Sequence, residues 1–583
     1  MPLSMKQSRR TFLNHILRVV EVLVILTLYC LLLYRVRYGI DFTDESWYVA
    51  EPYVVANGAI PFVNQWTQAP GFSIPLSIIS LIYVQICGST EGIVLFFRLF
   101  YLFWLFANGI LVYKLLSDNE KQIPVIAILL PTATLCYSLF EVNYNSIGLV
   151  YLLSAVLILF YERSGKDVSF IQGIISGLII GRTIIGTPCI LFSAIVLMIV
   201  LLVMKQYKRI AAFIIGGGIS AVAFFVYAIV KSQSLAKLYG ITYLFHDLVY
   251  FKISGYSSAL NNAKYAAIFL RPFIFFVILA LIAKVFLKAK DKSDIFVDVV
   301  LILTIIYFVI GVFKNEIERW MWFQSVPLFI FASSKQRRRI VVPFVVTIAY
   351  FTAYFFVSWS NIYGFGNREY WLRIPLCMSL FSLYFLYSRT HAIDRVYLCM
   401  CAGITFLTTV CVIDTYKYVY RDDDLSNLVT TVQSGIWKGC VTTEIRAENV
   451  VELEKHIRRI TEDITDVLFL DWASFGYLMT NARICAPSTL DNLCYTYKTN
   501  YPEIMYDYFD LEQNVPDTIV VIVFGRDELL SIQNNEWKFN DFINRFYLNS
   551  NHLYENESFK VIQYCLQDEK SALEYAESHK GIK

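Results

Sequence analysis

Residues 190–204 read Ile190-Leu-Phe-Ser-Ala-Ile-Val-Leu-Met-Ile-Val-Leu-Leu-Val-Met204, and Lys205-Gln-Tyr-Lys208-Arg209 follows at once. The block 184–204 holds no charged side chain and ends on three cations. A helix rising 1.5 Å per residue needs about twenty such residues to cross the hydrocarbon core of a bilayer. The same pattern recurs near 19–40, 92–114, 123–140, 147–161, 168–181, 210–230, 265–283, 295–313, 320–333, 340–357, 371–387 and 396–413. The 583 residues are 57% hydrophobic, 16% aromatic and only 17% charged, with a mean hydropathy of +0.53. A soluble chain normally carries about a quarter charged residues, so this composition excludes an ordinary soluble domain. The net charge of +3 is spread over the loops and gives no ground for nucleic acid as a partner. The reading is an all-α polytopic bundle of about thirteen transmembrane helices in the plasma membrane.

The apolar stretch 71–87 sets the topology. Placed in one leaflet without crossing, it leaves 21 Lys and Arg in the segments 1–18, 114–121, 161–167, 205–209, 284–294, 334–339 and 388–395. The opposite side then holds thirteen. Cytoplasmic loops carry the excess of Lys and Arg, so the run Lys335-Gln-Arg337-Arg338-Arg339 anchors the cytoplasmic face. The N-terminus is then cytoplasmic. Its basic flank and long apolar run, with no small-residue cleavage site, read as a first span rather than a signal peptide.

Two consequences follow. Residues 41–91 form one long outer loop without Lys or Arg. The tail, 414–583, also lies outside, apart from the membrane part at 1–413. In the tail a charged helical stretch, 448–461, alternates with strand-like runs beginning at Asp466, Thr518 and Phe559, which predicts a small α/β domain. Eight of the twelve cysteines lie in apolar segments and read as packing residues. Cys440, Cys485, Cys494 and Cys565 lie in the tail, where a bridge is open. Gly216-Gly-Gly218 sits inside a span and reads as a close helix contact.

The outer loop opens Asp41-Phe-Thr-Asp44-Glu45-Ser-Trp47-Tyr48 and continues Asn57-Gly58-Ala-Ile-Pro61-Phe-Val-Asn64-Gln-Trp66-Thr-Gln68-Ala-Pro70-Gly71. Acids directly after a span, then aromatics and Gly/Pro turns, predict a structured loop. Taken alone, the acids also suit a solvated membrane boundary. Asp-Glu-x-x-Tyr, a Gly ten residues on, and Pro-Phe-x-Asn-x-Trp-x-x-x-Pro-Gly resemble the first loop of the GT-C glycosyltransferases. The likeness is to the bacterial branch with the lipid A aminoarabinose transferases and the protein O-mannosyltransferases. Arg98-Leu99, Glu141, Gly177-Leu-Ile-Ile-Gly181 and Arg319-Trp320 with Pro327 extend it over about the first 340 residues. Two departures argue against the aminoarabinose substrate. Gln68 stands before Ala69-Pro70 where that branch has a carboxylate before Lys-Pro, and Thr187 matches the family's Lys.

The resemblance implies transfer of a sugar from a polyprenyl-phosphate donor to a cell-envelope acceptor (lipid, glycan or protein), with inversion, at the outer face. It makes Asp44 the base, with Glu45 and Glu141 orienting it, binding sugar hydroxyls or holding Mg²⁺ or Mn²⁺ between Asp44 and Glu141. Arg98 and Arg319 would meet the donor phosphate, and Tyr48, Trp66 and Gln68 the sugar. Trp and Tyr also belt every membrane interface. Arg35 and Arg37 read as snorkelling cations, and His246-Asp247 as a solvated loop pair. Asp471-Trp472 follows a strand, and Asn556-Glu-Ser558 matches a glycosylation triplet. A polymerase or ligase of lipid-linked glycans shares the same loop logic. A transporter or flippase would instead show paired halves and midplane charges.

Overall fold

A computed structural model describes residues 3–66, 70–119, 123–135, 139–160, 169–232, 267, 271, 272, 274–279, 281, 282, 293–314, 317–333, 337–359, 370–387, 393–470, 473–489, 501–524, 540–555 and 559–579. Six helices are long and apolar enough to cross a membrane among the described residues: His15–Arg35, Ile93–Ser117, Ser169–Gly186, Tyr207–Ser232, Ile340–Val357 and Arg395–Lys417. Many of their large apolar side chains face outward, Val203, Phe103 and Val230 among them. A surface of that kind is stable against lipid, not water. The chain is a membrane protein.

The first part of the bundle positions the site. Helix α1 (Leu3–Arg35) leads through a short loop into α2 (Asp44–Ala56). Helix α3 (Ser73–Cys87) is an apolar helix of 15 residues. Helix α4 (Ile93–Asn119) is long; α5 (Tyr144–Leu159) and α6 (Ser169–Gly186) follow. Asn143 caps α5 by accepting from Asn145 N and Ser146 N, while Ser146 Oγ accepts from Asn143 N at 2.8 Å. That reciprocal cap fixes the chain two residues after Glu141. Helix α6 packs on Tyr207–Ser232 with almost no side chain between the backbones. A Cβ on Gly177 would run into the Phe213 carbonyl, and one on Gly216 into the Ile174 carbonyl. The expected close glycine contact is present.

The expected span at 123–140 takes a different form. Val125–Leu129 and Pro131–Thr134 are two short 3₁₀ turns. Pro124 and Pro131 remove donors and prevent a continuous α-helix. The free backbone finds partners inside the protein: Glu21 of α1 accepts from Ile126 N at 3.1 Å and from the Tyr397 hydroxyl at 2.7 Å. Irregular backbone at membrane depth is tolerated where protein surrounds it, and Ile126, Ala127, Leu129 and Leu130 are buried. Likewise 320–333 is divided between Ile317–Gln324 and Val326–Ser333, breaking before Pro327.

After Lys417 the chain forms a small ribbon and a five-stranded sheet. Strands β1 (Thr430–Thr431) and β2 (Val441–Thr442) pair antiparallel. The sheet contains β3 (Asp466–Leu470), β4 (Arg483–Ile484), β5 (Thr518–Phe524), β6 (Tyr547–Glu555) and β7 (Phe559–Leu566), in the order β4-β3-β5-β7-β6. Strand β3 runs parallel to β4 and β5, whereas β7 is antiparallel to β5 and β6. The three strands expected from alternation are β3, β5 and β7, and the charged helix is Glu444–Ile460. Cys440, Cys485 and Cys565 are free thiols. Cys494, His246, Asp247, Asp471, Trp472 and Asn556 lie outside the described residues.

The tail is zipped to the segment between α1 and α2. Val441 N donates to the Arg37 carbonyl at 2.7 Å, and Gly39 N to the Val441 carbonyl at 2.9 Å. Phe42 inserts among Trp437, Phe475 and Phe559 of the tail, with ring centroids 5.3–5.7 Å apart.

Candidate active site

Four carboxylates gather where α1, α2, α4 and the start of α5 meet. Asp41 folds the loop before α2 into a tight turn. Its Oδ1 accepts from Thr43 N at 3.0 Å and Thr43 Oγ1 at 2.7 Å, and its Oδ2 from Glu45 N at 2.9 Å. An acid closing the first turn of a helix satisfies donors that have no partner within the helix. Asp44 and Glu45 occupy that first turn, where the helix dipole favours negative charge. One helical step separates their directions, so the two side chains part: Glu45 turns inward and Asp44 outward.

Glu45 is buried and gripped by Arg98 of α4, which donates from Nε to Oε1 and from Nη2 to Oε2 at 2.6 Å. The remaining contacts of Arg98 go to the carbonyls of Val36 at 2.7 Å and Gly39 at 2.8 Å. Glu141 lies beside Glu45 and the same guanidinium, its Oε1 3.7 Å from Arg98 Nε. Burial acts to raise Glu45, yet Arg98 holds it below the usual carboxylate range. Burial, and next the charge on Glu45, push Glu141 well above it. Arg98 therefore favours an ionised Glu45, whereas burial and the neighbouring Glu45 favour a neutral Glu141 against the pull of the same guanidinium. Asp41 is pushed up to about 6 by burial and then by Asp44, with Arg421 opposing.

Asp44 is the carboxylate of the four that opens to solvent, with 22% of its side chain exposed against 1–3% for the others. The start of the tail holds it. The Tyr420 hydroxyl donates to Asp44 Oδ2, and Arg421 Nη2 stands 3.6 Å from the same oxygen. Burial, then the charge on Asp44, raise the Tyr420 phenol, so it remains a donor. Arg421 lies across the Tyr420 ring at 4.9 Å and 4.0 Å from Asp41 Oδ1. Behind them Asp422 accepts from Ile40 N at 2.7 Å and pairs with Arg446 at 2.7 Å, tying the tail to the loop. A small cavity of about 10 Å³ is lined by Tyr38, Asp41, Glu45, Arg98, Leu139 and Tyr420 among others, room for about one water molecule.

Several expectations change. Arg98 spends its donors on Glu45 and two carbonyls, so it is an internal counter-ion rather than an open phosphate contact. Arg35 does not snorkel: it is buried, and it donates to the carbonyls of Thr415, Tyr38 and Tyr418. Trp66 is built into the tail's core, donating Nε1 to Val63 O at 2.7 Å and packing on Tyr508 at 5.5 Å. Tyr48 is buried against Trp47, Phe72 and Tyr144. Gln68 lies outside the described residues, as does the side chain of Arg319. The residues expected to hold Mg²⁺ or Mn²⁺ do not fit one. Asp44 lies against Arg421 and Glu141 against Arg98, so guanidinium groups hold the places beside them. Among the described residues no three potential ligands cluster. Asp41, Tyr420 and Arg421 escaped the sequence reading. The Asp-x-Thr turn signalled Asp41; only the charge run 421–424 hinted at the others.

No family model matches the chain. No curated protein matches it either. Among solved structures it is similar to an Archaeoglobus fulgidus oligosaccharyltransferase, crystallised as a complex with Zn and sulfate. The identity is 12% and the TM-score 0.45, over 85% of this chain and 67% of that one. A score at this level carries no weight for the site.

Proposed function

We propose that the protein is a membrane glycosyltransferase of the GT-C type, with Asp44 as its base. It moves a sugar from a polyprenyl-phosphate donor to a hydroxyl acceptor at the outer face of the membrane, with inversion. The observation that supports this reading is the half-open Asp44 carboxylate, backed by Tyr420 and Arg421 and set beside the sealed Glu45–Arg98–Glu141 group. In this reading 1–413 carries the chemistry and 414–583 is an outer domain whose first residues complete the site, with the N-terminus cytoplasmic.

The step balances simply. Asp44 Oδ takes the proton of the acceptor hydroxyl as its oxygen bonds to the anomeric carbon. The bond from that carbon to the phosphate oxygen breaks, and the electron pair leaves with the polyprenyl phosphate. Attack opposite the leaving group inverts the centre. A positioned base contributes about 10²–10⁴-fold. Tyr420 and Arg421 direct Asp44, while Arg98 and Glu45 anchor the first turn of α2 that carries it.

The test uses membranes containing the full chain, incubated with the lipid-linked sugars extracted from the same cells. Wild type discharges free polyprenyl phosphate and forms a product of opposite anomeric configuration. Asp44→Asn, inserted to the same level, discharges it at least a hundredfold more slowly. Equal discharge by the two proteins contradicts the reading.

A further inference from the structure

Two apolar side chains of the tail stand almost bare. Val429, next to β1, is 75% exposed, and Ile445, in the first turn of Glu444–Ile460, is 62% exposed. They are neighbours, because Val429 N donates to the Thr442 carbonyl at 3.1 Å and Ile445 follows three residues after Thr442. A single exposed apolar residue needs no explanation. The position of these two does.

The ribbon beside them is built onto the ends of two spans. The segments His15–Arg35 and Arg395–Lys417 end together, joined by the buried Arg35 guanidinium, which donates to the carbonyls of Thr415, Tyr38 and Tyr418. Strand β2 then bonds to the backbone of Arg37 and Gly39, just beyond the first span, and β1 pairs with β2. Neighbouring strands lie about 4.8 Å apart, which puts β1 about 10 Å from that backbone.

An apolar path leads from the lipid-facing side of α1 to Val429. Leu31, Leu33 and Tyr34 are exposed on the last turns of α1. The Tyr34 ring lies 5.2 Å from that of Tyr38, and their hydroxyls meet at 2.6 Å. Tyr38 packs in turn with Val419, Leu425, Leu428 and Val441 of the tail. That cluster therefore begins level with the last turn of α1, and Leu428 directly precedes Val429. Tyr418 is exposed at the end of the second span. Tyrosines gathered at span ends mark the boundary between hydrocarbon and water. Both signs of charge stand around the patch: Arg37 and Lys417 are exposed at the span ends, and Asp423, Asp424 and Glu444 on the tail. Such a mixture suits zwitterionic headgroups.

We infer that Val429 and Ile445 dip into the headgroup layer of the bilayer, so that the tail rests on lipid as well as on the bundle. Apolar groups of interfacial elements sink about 5–10 Å into the boundary between headgroups and acyl chains, and the ribbon starts from the span ends that define it. Tyr420 and Arg421 lie between Lys417 and the ribbon, so the Asp44 that they hold stands at headgroup depth as well. Lipid contact at this patch is independent of the reaction that the site performs.

The test places dansylalanine, a fluorescent amino acid, in the position of Val429, of Ile445 or, as a control, of Lys570, whose side chain is 87% exposed. Each full-length protein is inserted into phosphatidylcholine vesicles that carry a nitroxide either on the headgroup or at the end of the acyl chain. At 429 and at 445 the headgroup nitroxide should quench at least about twofold more than the chain-end one, as an interfacial depth requires. Neither nitroxide should quench the control. Quenching at either site no greater than at 570 overturns the inference. A blue-shifted but unquenched dansyl group overturns it too, because a protein partner or a second copy then covers the patch. Both side chains point away from the core, so the substitutions should leave folding intact; where one variant fails to insert, the other decides.

Discussion

Glu51→Gln should make the protein's stability less dependent on pH. Glu51 lies on α2, fully buried, and accepts a hydrogen bond from the Thr489 hydroxyl of the tail on Oε2. Its Oε1 has no partner. Gln65 accepts from Thr489 N at 3.2 Å, so one tail residue meets two buried groups of the first loop. Burial pushes the Glu51 carboxyl from 4.5 up to about 7, with the Thr489 hydrogen bond opposing. The folded state therefore holds this proton more tightly than the unfolded chain does. The stabilisation is fully present below about pH 4.5 and is lost as pH rises through about 7. At about 1.36 kcal/mol per pH unit the loss is about 3 kcal/mol. Glutamine keeps the shape and the acceptor oxygen but carries no proton to lose. Thermal unfolding in detergent between pH 5 and 8, followed by tryptophan fluorescence, reads the difference. The two proteins should melt close together at pH 5, and Glu51→Gln should be the more stable at pH 8. Parallel curves across that range would refute the reasoning.

Two further outcomes follow from the geometry. Arg98→Met leaves Glu45 buried without its counter-ion; breaking a buried pair costs about 3–5 kcal/mol, read as a lower melting temperature and reduced yield of folded protein. Tyr420→Phe removes only the hydroxyl donated to Asp44, so sugar transfer should fall about tenfold, in line with a hydrogen bond to a charged group, while the melting temperature stays near wild type.

Much of the bundle is legible in the sequence because apolar length is a one-dimensional property. The segments 168–181, 210–230 and 340–357 needed only hydropathy, and Gly216 revealed a close contact because no other residue lets backbones approach so nearly. Hydropathy failed at 123–140, where two prolines spend an apolar run on 3₁₀ turns. Trp66, which the resemblance put on the sugar, has its ring in a core formed by residues more than four hundred positions away. In the site, proximity in sequence brought Asp44 and Glu45 together, and Arg98 and Glu141 were found through the resemblance. The roles changed once partners were visible: Arg98 faces an acid that satisfies it. Tyr420 and Arg421 reach Asp44 across some 376 positions. No local pattern encodes such a pairing. The zipped backbone between Arg37, Gly39 and Val441, with Asp422 on Ile40 N, brings the tail there.

The central claim is best tested by mass spectrometry of cell-surface glycans from cells lacking the protein, complemented with wild type or with Asp44→Asn at equal membrane levels. Wild type should restore a species heavier by one sugar residue, and Asp44→Asn should leave the spectrum as in the deletion. Restoration of that species by Asp44→Asn would contradict the account.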